Sequence, residues 1–393
     1  MTLSTGFDFD TVIDRRGTHC EKWDTMEARY GVSPVDGLSM WVADMEFRSP
    51  QEVNEAFMRA AAFGIHGYYG DDADYRAAVV AWMARRHHTR IEPEWICATN
   101  GIVNGLNMAV QAFCTPGDTV IVQPPVYYPF FGAVANNGCI AAPNRLVLED
   151  GKYRMNFEEL EALCDRGARM LILCSPHNPG GRVWTRAELE RVAAICLPRG
   201  VLIVADEIHH DLVFEAHAHT MLAGISDGIR QRVITCTSAS KTFNLAGTMT
   251  GNMLIADPEL RARFKAQMGK CGLYDPNAFG PMAAVAAYTH GVPWLDALLD
   301  YLAANRDLVA AAASRMPGVA YMEPEATYLA WLNFSGTGLD MAEVVRRVQT
   351  EARLALNHGH TFGPGGEHFM RLNFACPRAM LEDALQRLER VFG

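Results

Sequence analysis

The stretch VLIVADEIHHD, residues 201–211, is an apolar, β-branched run that stops abruptly on an acid, and the fold follows from how it is read. An uninterrupted apolar run without polar alternation suits a strand buried on both faces, which belongs to a parallel sheet covered by helices. The same rhythm extends outward in both directions. MLILCSPHNPGG (170–181), TVIVQPPVYYPF (119–130) and WICAT (95–99) precede it; VITCTSASKTFN (233–244) and GNMLIA (251–256) follow. Helical stretches such as IVNGLNMAVQAF (102–113) and TRAELERVAAICLPRG (185–200) lie between. Strands alternating with helices predict an α/β domain with a mostly parallel sheet. That domain is expected over 48–290. Its first helix opens in SPQEVNEAF, with Ser49 as cap and Pro50 at the first helical position. Residues 1–47 and 291–393, with a long helix, short strands and a Gly/Pro-rich loop, read as a smaller α+β domain.

Composition narrows the function classes. Among 393 residues, 35 Lys+Arg against 45 Asp+Glu leave a net charge of −10, which argues against a nucleic-acid binder. The 49% hydrophobic content excludes intrinsic disorder. No apolar run approaches a membrane span, and the polar start shows no leader. Ten scattered cysteines without a CxxC pair predict reduced thiols and a cytoplasmic protein.

Chemistry is expected where the strands end, because ligands of open parallel sheets bind beyond their carboxyl edges. Four strand ends carry unusual polar residues. Lys241 closes one, with an amine placed to act as a nucleophile or base. Asp206 closes another, where a buried carboxylate needs a cationic partner that neighbouring sequence does not offer; a protonated cofactor ring nitrogen satisfies it. Gly101 precedes a helix whose free N–H groups form an anion site. Asn178 offers an amide donor, and Tyr127 a flat ring on a Pro-flanked loop. Arg371, in MRLNFA, suits bidentate pairing with a substrate carboxylate. Each alone also reads as a cap, turn or surface residue. Their joint order and spacing point to one site.

Together NPGG, DEIHHD, SASKTFNLAG and RLNFACPR resemble the fold-type I pyridoxal 5′-phosphate (PLP) enzymes. WDTMEARYG, MWVADMEF, QPPVYYPF and FGPGGEHFMRLNFACP are similar, more narrowly, to the MalY/PatB group of C–S lyases within the class I/II aminotransferase superfamily. The resemblance implies a seven-stranded, mostly parallel sheet, and PLP tethered to Lys241. It implies Asp206 on the ring nitrogen, Asn178 on the phenolic oxygen with help from His209, Tyr127 stacked on the ring, and Tyr128 facing the substrate. Gly101, Ile102 and the Ser238 hydroxyl would hold the phosphate. Tyr68 would reach the phosphate of a neighbouring subunit in a homodimer with shared sites. Arg371 would clamp the substrate carboxylate under backbone of the WVADM segment, including Val42. One departure stands out: Met249 occupies the place, eight residues after the lysine, where many superfamily members carry a cation.

The activity implied is β-elimination from a cysteine-derived amino acid, yielding pyruvate, ammonia and a thiol. An aminotransferase using the same residues is the main alternative, and a PLP-binding regulatory protein a lesser one. His209–His210 with His217/His219 suggest a metal, but DEIHH already has a place in the PLP reading, so none is expected. His358 and His360 read as loop residues.

Overall fold

A computed structural model describes residues 6–393. Residues 1–5, the start of the polar head expected to carry no leader, lie outside the described residues. Seven strands form the central sheet: β1 (Ile96–Thr99), β2 (Thr119–Val122), β3 (Ile140–Pro143), β4 (Met170–Cys174), β5 (Leu202–Asp206), β6 (Val233–Thr237) and β7 (Gly251–Leu254). Their spatial order is β1-β7-β6-β5-β4-β2-β3. Neighbours from β3 through β6 run parallel, and β7 is antiparallel to both β6 and β1. The edge strand β3 escapes sequence reading because IAAP lacks a β-branched run and leaves Ile140 exposed.

Successive side chains of a strand point to opposite faces, and the two faces here feed different cores. Val120, Val122, Ile172, Val204 and Ile234 join Leu106, Val110 and Phe264 on one side. Ile121, Leu171, Leu173, Ile203 and Ala205 join Leu160, Leu189 and Val192 on the other. Burying each such aliphatic side chain contributes roughly 1.5–3 kcal/mol. The covering helices begin where their sequences allow. Thr185 and Glu188 close a capping box ahead of Arg186–Cys196, and Asp257 caps Pro258–Lys270 through the Leu260 N–H. The Ser49 expectation is corrected: the helix spans Gln51–Phe63 with Pro50 as cap, and the Ser49 hydroxyl instead donates to the Asn244 carbonyl, 3.2 Å away. A long-range hydrogen bond has displaced a local one.

A second sheet, β8 (Ala320–Met322), β9 (Leu329–Asn333), β10 (Asn357–His358) and β11 (Phe369–Asn373), is antiparallel in the order β8-β9-β11-β10. Leu38–Ser39 pairs in parallel with Leu354–Ala355, so the N-terminal segment is stitched to the C-terminal part. One continuous apolar cluster runs from Val53, Trp82 and Ala287 through Leu298 on the long helix Val292–Ala313 to Leu332 and Leu372. Among the described residues, no helix is long and apolar enough to cross a membrane, and the ten cysteines carry free thiols.

Candidate active site

A cavity of about 550 Å³ opens at the carboxyl ends of β4, β5 and β6. Asp206, Lys241, Asn178, His209, Tyr127, Tyr128, Gly101, Ile102, Val42 and Arg371 all line it. These residues come from segments as far apart as 42 and 371, so only the fold makes them neighbours.

Asp206 is the last residue of β5 and is 3% exposed. Among the described residues its carboxylate accepts one hydrogen bond, from the Ile208 N–H at 3.1 Å. Burial pushes this acid up to about 7, against the pull of that N–H and of Lys241. Lys241 sits in the short helix Ala239–Thr242 after β6, and burial draws its amine down to about 8 while Asp44 pulls the other way. The Lys241 amine donates to the Ala43 carbonyl at 2.6 Å. His209 is buried with no partner for Nδ1 among the described residues, and its ring meets Tyr328 edge-on.

Opposite, Arg371 on β11 is 3% exposed and donates to Asn178 Oδ1 (2.9 Å), Asn357 Oδ1 (2.6 Å) and the Trp41 carbonyl (2.9 Å). Among the described residues none accepts from its Nε. Because Arg371 occupies the Asn178 carbonyl oxygen, the Asn178 NH₂ remains as a donor toward the cavity. The Tyr127 ring lies 5.4 Å from that of Tyr128, which is 42% exposed at the mouth.

The helix Ile102–Phe113 starts at Gly101, whose φ of +87° is a conformation that glycine adopts without strain, and no side chain caps its first turn. The helix lies close to β7: a Cβ on Gly251 would stand 2.5 Å from Ile102 Cδ1. Ser240 and Thr250 complete this wall with Met249, which has no charge to offer an anion. Ser238 caps Ala239–Thr242, accepting from the Ser240 N–H and donating to the Thr250 carbonyl at 2.7 Å, while Ser240 and Thr250 are the hydroxyl residues lining this part of the cavity wall. Tyr68 is fully exposed and does not line this cavity. His358 stands against Tyr30 and Gln349, and neither it nor His360 reaches the cavity wall.

Sequence reading missed how the segment 40–47 is held. It forms no strand, yet its carbonyls are taken one by one. Trp41 O is taken by Arg371, Val42 O by Asn373, and Ala43 O by Tyr328 and Lys241; Asn244 takes those of Met45 and Phe47. Its acids Asp44 and Glu46 face Arg15 and the fully buried Lys22, whose amine lies 2.7 Å from Glu46. Burial would lower the Lys22 pKa, but the two acids outweigh it and hold it raised. The pattern left one signal, acids spaced to one face in ADMEF, without showing that a lysine in WDTMEARYG's neighbourhood would meet them.

The family model for aminotransferases of class I and II matches residues 38–388. The chain belongs to that family. Among its relatives in the family, cystathionine beta-lyase PatB of Bacillus subtilis is 44% identical over 384 residues, covering 97% of this chain and 99% of its own. Cystalysin from Treponema denticola, whose crystal structure contains a pyridoxal 5′-phosphate cofactor, matches with a TM-score of 0.95 at 34% identity over 98% of each chain. The PLP-bound C–S lyase of Staphylococcus hominis matches with a TM-score of 0.91 at 28% identity, again over 98% of each chain.

The residues of this class I and II aminotransferase fold fit PLP on their own terms. The under-partnered Asp206 suits a protonated ring nitrogen, the uncapped helix start at Gly101 suits a phosphate, and a lysine with a lowered pKa suits an aldehyde.

Proposed function

We infer that this chain is a PLP-dependent C–S β-lyase that cleaves the Cβ–S bond of cysteine-derived amino acids of the cystathionine type, releasing pyruvate, ammonia and a thiol. The observation that carries the reading is 44% identity, over nearly the full length of both chains, to a cystathionine beta-lyase.

The bound cofactor supplies an electron sink conjugated to the substrate Cα. The chain's own residues do the rest. Lys241 would hold PLP, and its amine, with its pKa drawn down to about 8, is the base placed to take the proton from the substrate Cα. Asp206, buried with one backbone donor among the described residues, would hold a proton on the ring nitrogen, an electrostatic contribution of several kcal/mol in a site of this burial. Asn178 and His209 would hold the phenolic oxygen, and the Tyr127 ring would pack against the cofactor ring. The helix start at Gly101 and Ile102 would hold the phosphate together with the Ser238 hydroxyl and that of Ser240, 2.9 Å from it. Arg371 takes the substrate carboxylate, with the Val42 backbone closing over it, and so sets the Cα–H bond toward Lys241. Tyr128, at the mouth, faces the departing sulfur.

The working form in this proposal is a cytoplasmic homodimer in which Tyr68 completes the phosphate site of the partner. Supporting it, Phe63 and Ile65, just ahead of Tyr68, are exposed, as is Phe279, whose ring lies 6.0 Å from His66. Such an apolar set suits a second copy.

Cystathionine or S-methylcysteine supplied without any 2-oxo acid should yield stoichiometric pyruvate and thiol. Turnover that appears only when a 2-oxo acid is added would assign the chain to amino transfer instead.

A further inference from the structure

Two thiols that no part of the active site uses stand against each other under the helices Phe157–Asp165 and Arg186–Cys196. Cys164 is the next-to-last residue of the first helix and Cys196 the last of the second, and their sulfurs lie 3.8 Å apart. Both belong to the apolar core on this face of the sheet. Each helix then returns the chain to the amino end of a strand, β4 at Met170 and β5 at Leu202. The pair therefore sits toward the opposite edge of the sheet from the cavity, which opens at the carboxyl ends.

The surroundings of this pair differ from those of an inert buried cysteine. Arg199 fixes a cation beside it, donating from Nε to Asp165 at 2.6 Å, from Nη2 to Glu161 at 2.5 Å and from Nη1 to the Ile195 carbonyl at 3.1 Å. The Cys196 S–H and, beyond it, the Arg199 guanidinium hold the Cys164 thiol below its ordinary range against burial, whereas Cys164 and burial push Cys196 up. One sulfur is thus prepared as a nucleophile and the other kept as a thiol. Glu161 and Asp165 are more than half exposed, so the sulfurs lie one layer beneath solvent, and Cys164 keeps 3% of its surface open. A reagent hardly larger than water suits such an opening. Helix ends yield readily, and an S–S bond of about 2 Å asks only a small approach of the two sulfurs.

We propose that Cys164 and Cys196 form a peroxide-responsive dithiol that closes into a disulfide joining the two helices. The Cys164 thiolate attacks one oxygen of hydrogen peroxide, the O–O bond breaks, and the departing hydroxide takes up the proton that the thiol had released. The Cys196 sulfur then attacks the Cys164 sulfenic acid. The S–S bond forms, the S–O bond breaks, and the hydroxyl leaves as water with the Cys196 proton. Two thiols and one hydrogen peroxide become one disulfide and two waters. The inference is independent of the lyase reading.

The test treats the PLP-loaded, full-length enzyme with hydrogen peroxide, alkylates the remaining thiols and reads an unreduced digest by mass spectrometry. The expected product is a peptide pair joined through Cys164 and Cys196, two hydrogens lighter than its parts and released by dithiothreitol. In Cys196→Ala, which lacks the second thiol, capture of Cys164 sulfenic acid by dimedone should rise about tenfold over the unaltered enzyme. In Cys164→Ala, dimedone should leave Cys196 unlabelled. The absence of the joined pair at a peroxide dose that oxidises the exposed Cys271 overturns the proposal. So does a bridge from either residue to another cysteine such as Cys139, or conversion of Cys164 to its sulfinic acid with Cys196 untouched. Should either variant fail to fold, the joined pair in the unaltered enzyme decides.

Discussion

Two carboxylates five residues apart, Asp206 and Asp211, are buried at the end of the same strand and treated in opposite ways. Asp211 accepts from Trp82 Nε1 at 3.0 Å, from Thr242 Oγ1 at 2.7 Å and from His87 Nε2 at 2.7 Å, with His210 Nε2 another 3.3 Å away. Burial works against its charge, but His210, His87 and Thr242 outweigh that and hold it well below the ordinary carboxylate range. Asp206 has a single backbone donor and is pushed the other way, to about 7. The first acid is complete within the chain. The second is left waiting for a partner, and a group the fold leaves short of hydrogen bonds in a cavity marks where a ligand belongs. Thr242, the residue after Lys241, ties the two regions together, so the completed acid anchors the turn from which the catalytic lysine projects.

The contrast can be broken or sharpened experimentally. Lys241→Ala removes the amine from the waiting side and should lower pyruvate release by about 10³-fold or more; substantial turnover in that variant would remove the lysine from the chemistry. Asp206→Asn should cost about 100-fold in kcat. The same change should stabilise the cofactor-free chain at pH 8. Its folded carboxyl titrates near 7 rather than near 3.8, so the folded chain holds the extra proton between those values and stability drains away as pH rises through that window. Denaturant unfolding should show a gain of up to about 4 kcal/mol at pH 8 that vanishes near pH 4. On the completed side the balance reverses. Asp211→Ala should destabilise the chain by about 3–5 kcal/mol, since it strips three buried donors of their acceptor, while kcat of the folded holoenzyme drops less than tenfold. Thr242→Val, which removes one of those donors, should cost about 1–2 kcal/mol by the same measurement.

The cluster around Asp211 also shows why histidine spacing misleads. HH at 209–210 and HxH at 217–219 read as two pairs, but the fold splits both. His209 turns to the cavity, His210 to Asp211, His219 to Glu207 Oε2 at 2.7 Å, and His217 stays exposed. The second histidine beside Asp211 is His87, from a distant helix. His87, His210 and Asp211 bring ligand atoms within 4.8 Å of one another, yet the oxygens of Asp211 are already engaged by Trp82, Thr242 and His87.

By itself the sequence determined six of the seven central strands and their polar ends, because an unbroken apolar run and the abrupt acid, amide or lysine after it are local features with a local physical meaning. It marked Asp206, Lys241 and Asn178 for the same reason, and Arg371 as a charge set inside an apolar strand. Only the tertiary structure decided which hydroxyl faces the cavity, which acid is satisfied and what holds the segment 40–47. Those outcomes depend on hydrogen bonds between residues up to about 330 positions apart, such as Arg371 to Trp41 and Asn373 to Val42. Burial raises the cost of leaving such groups unpaired, and pairing at that range exists only once the two sheets have closed on each other.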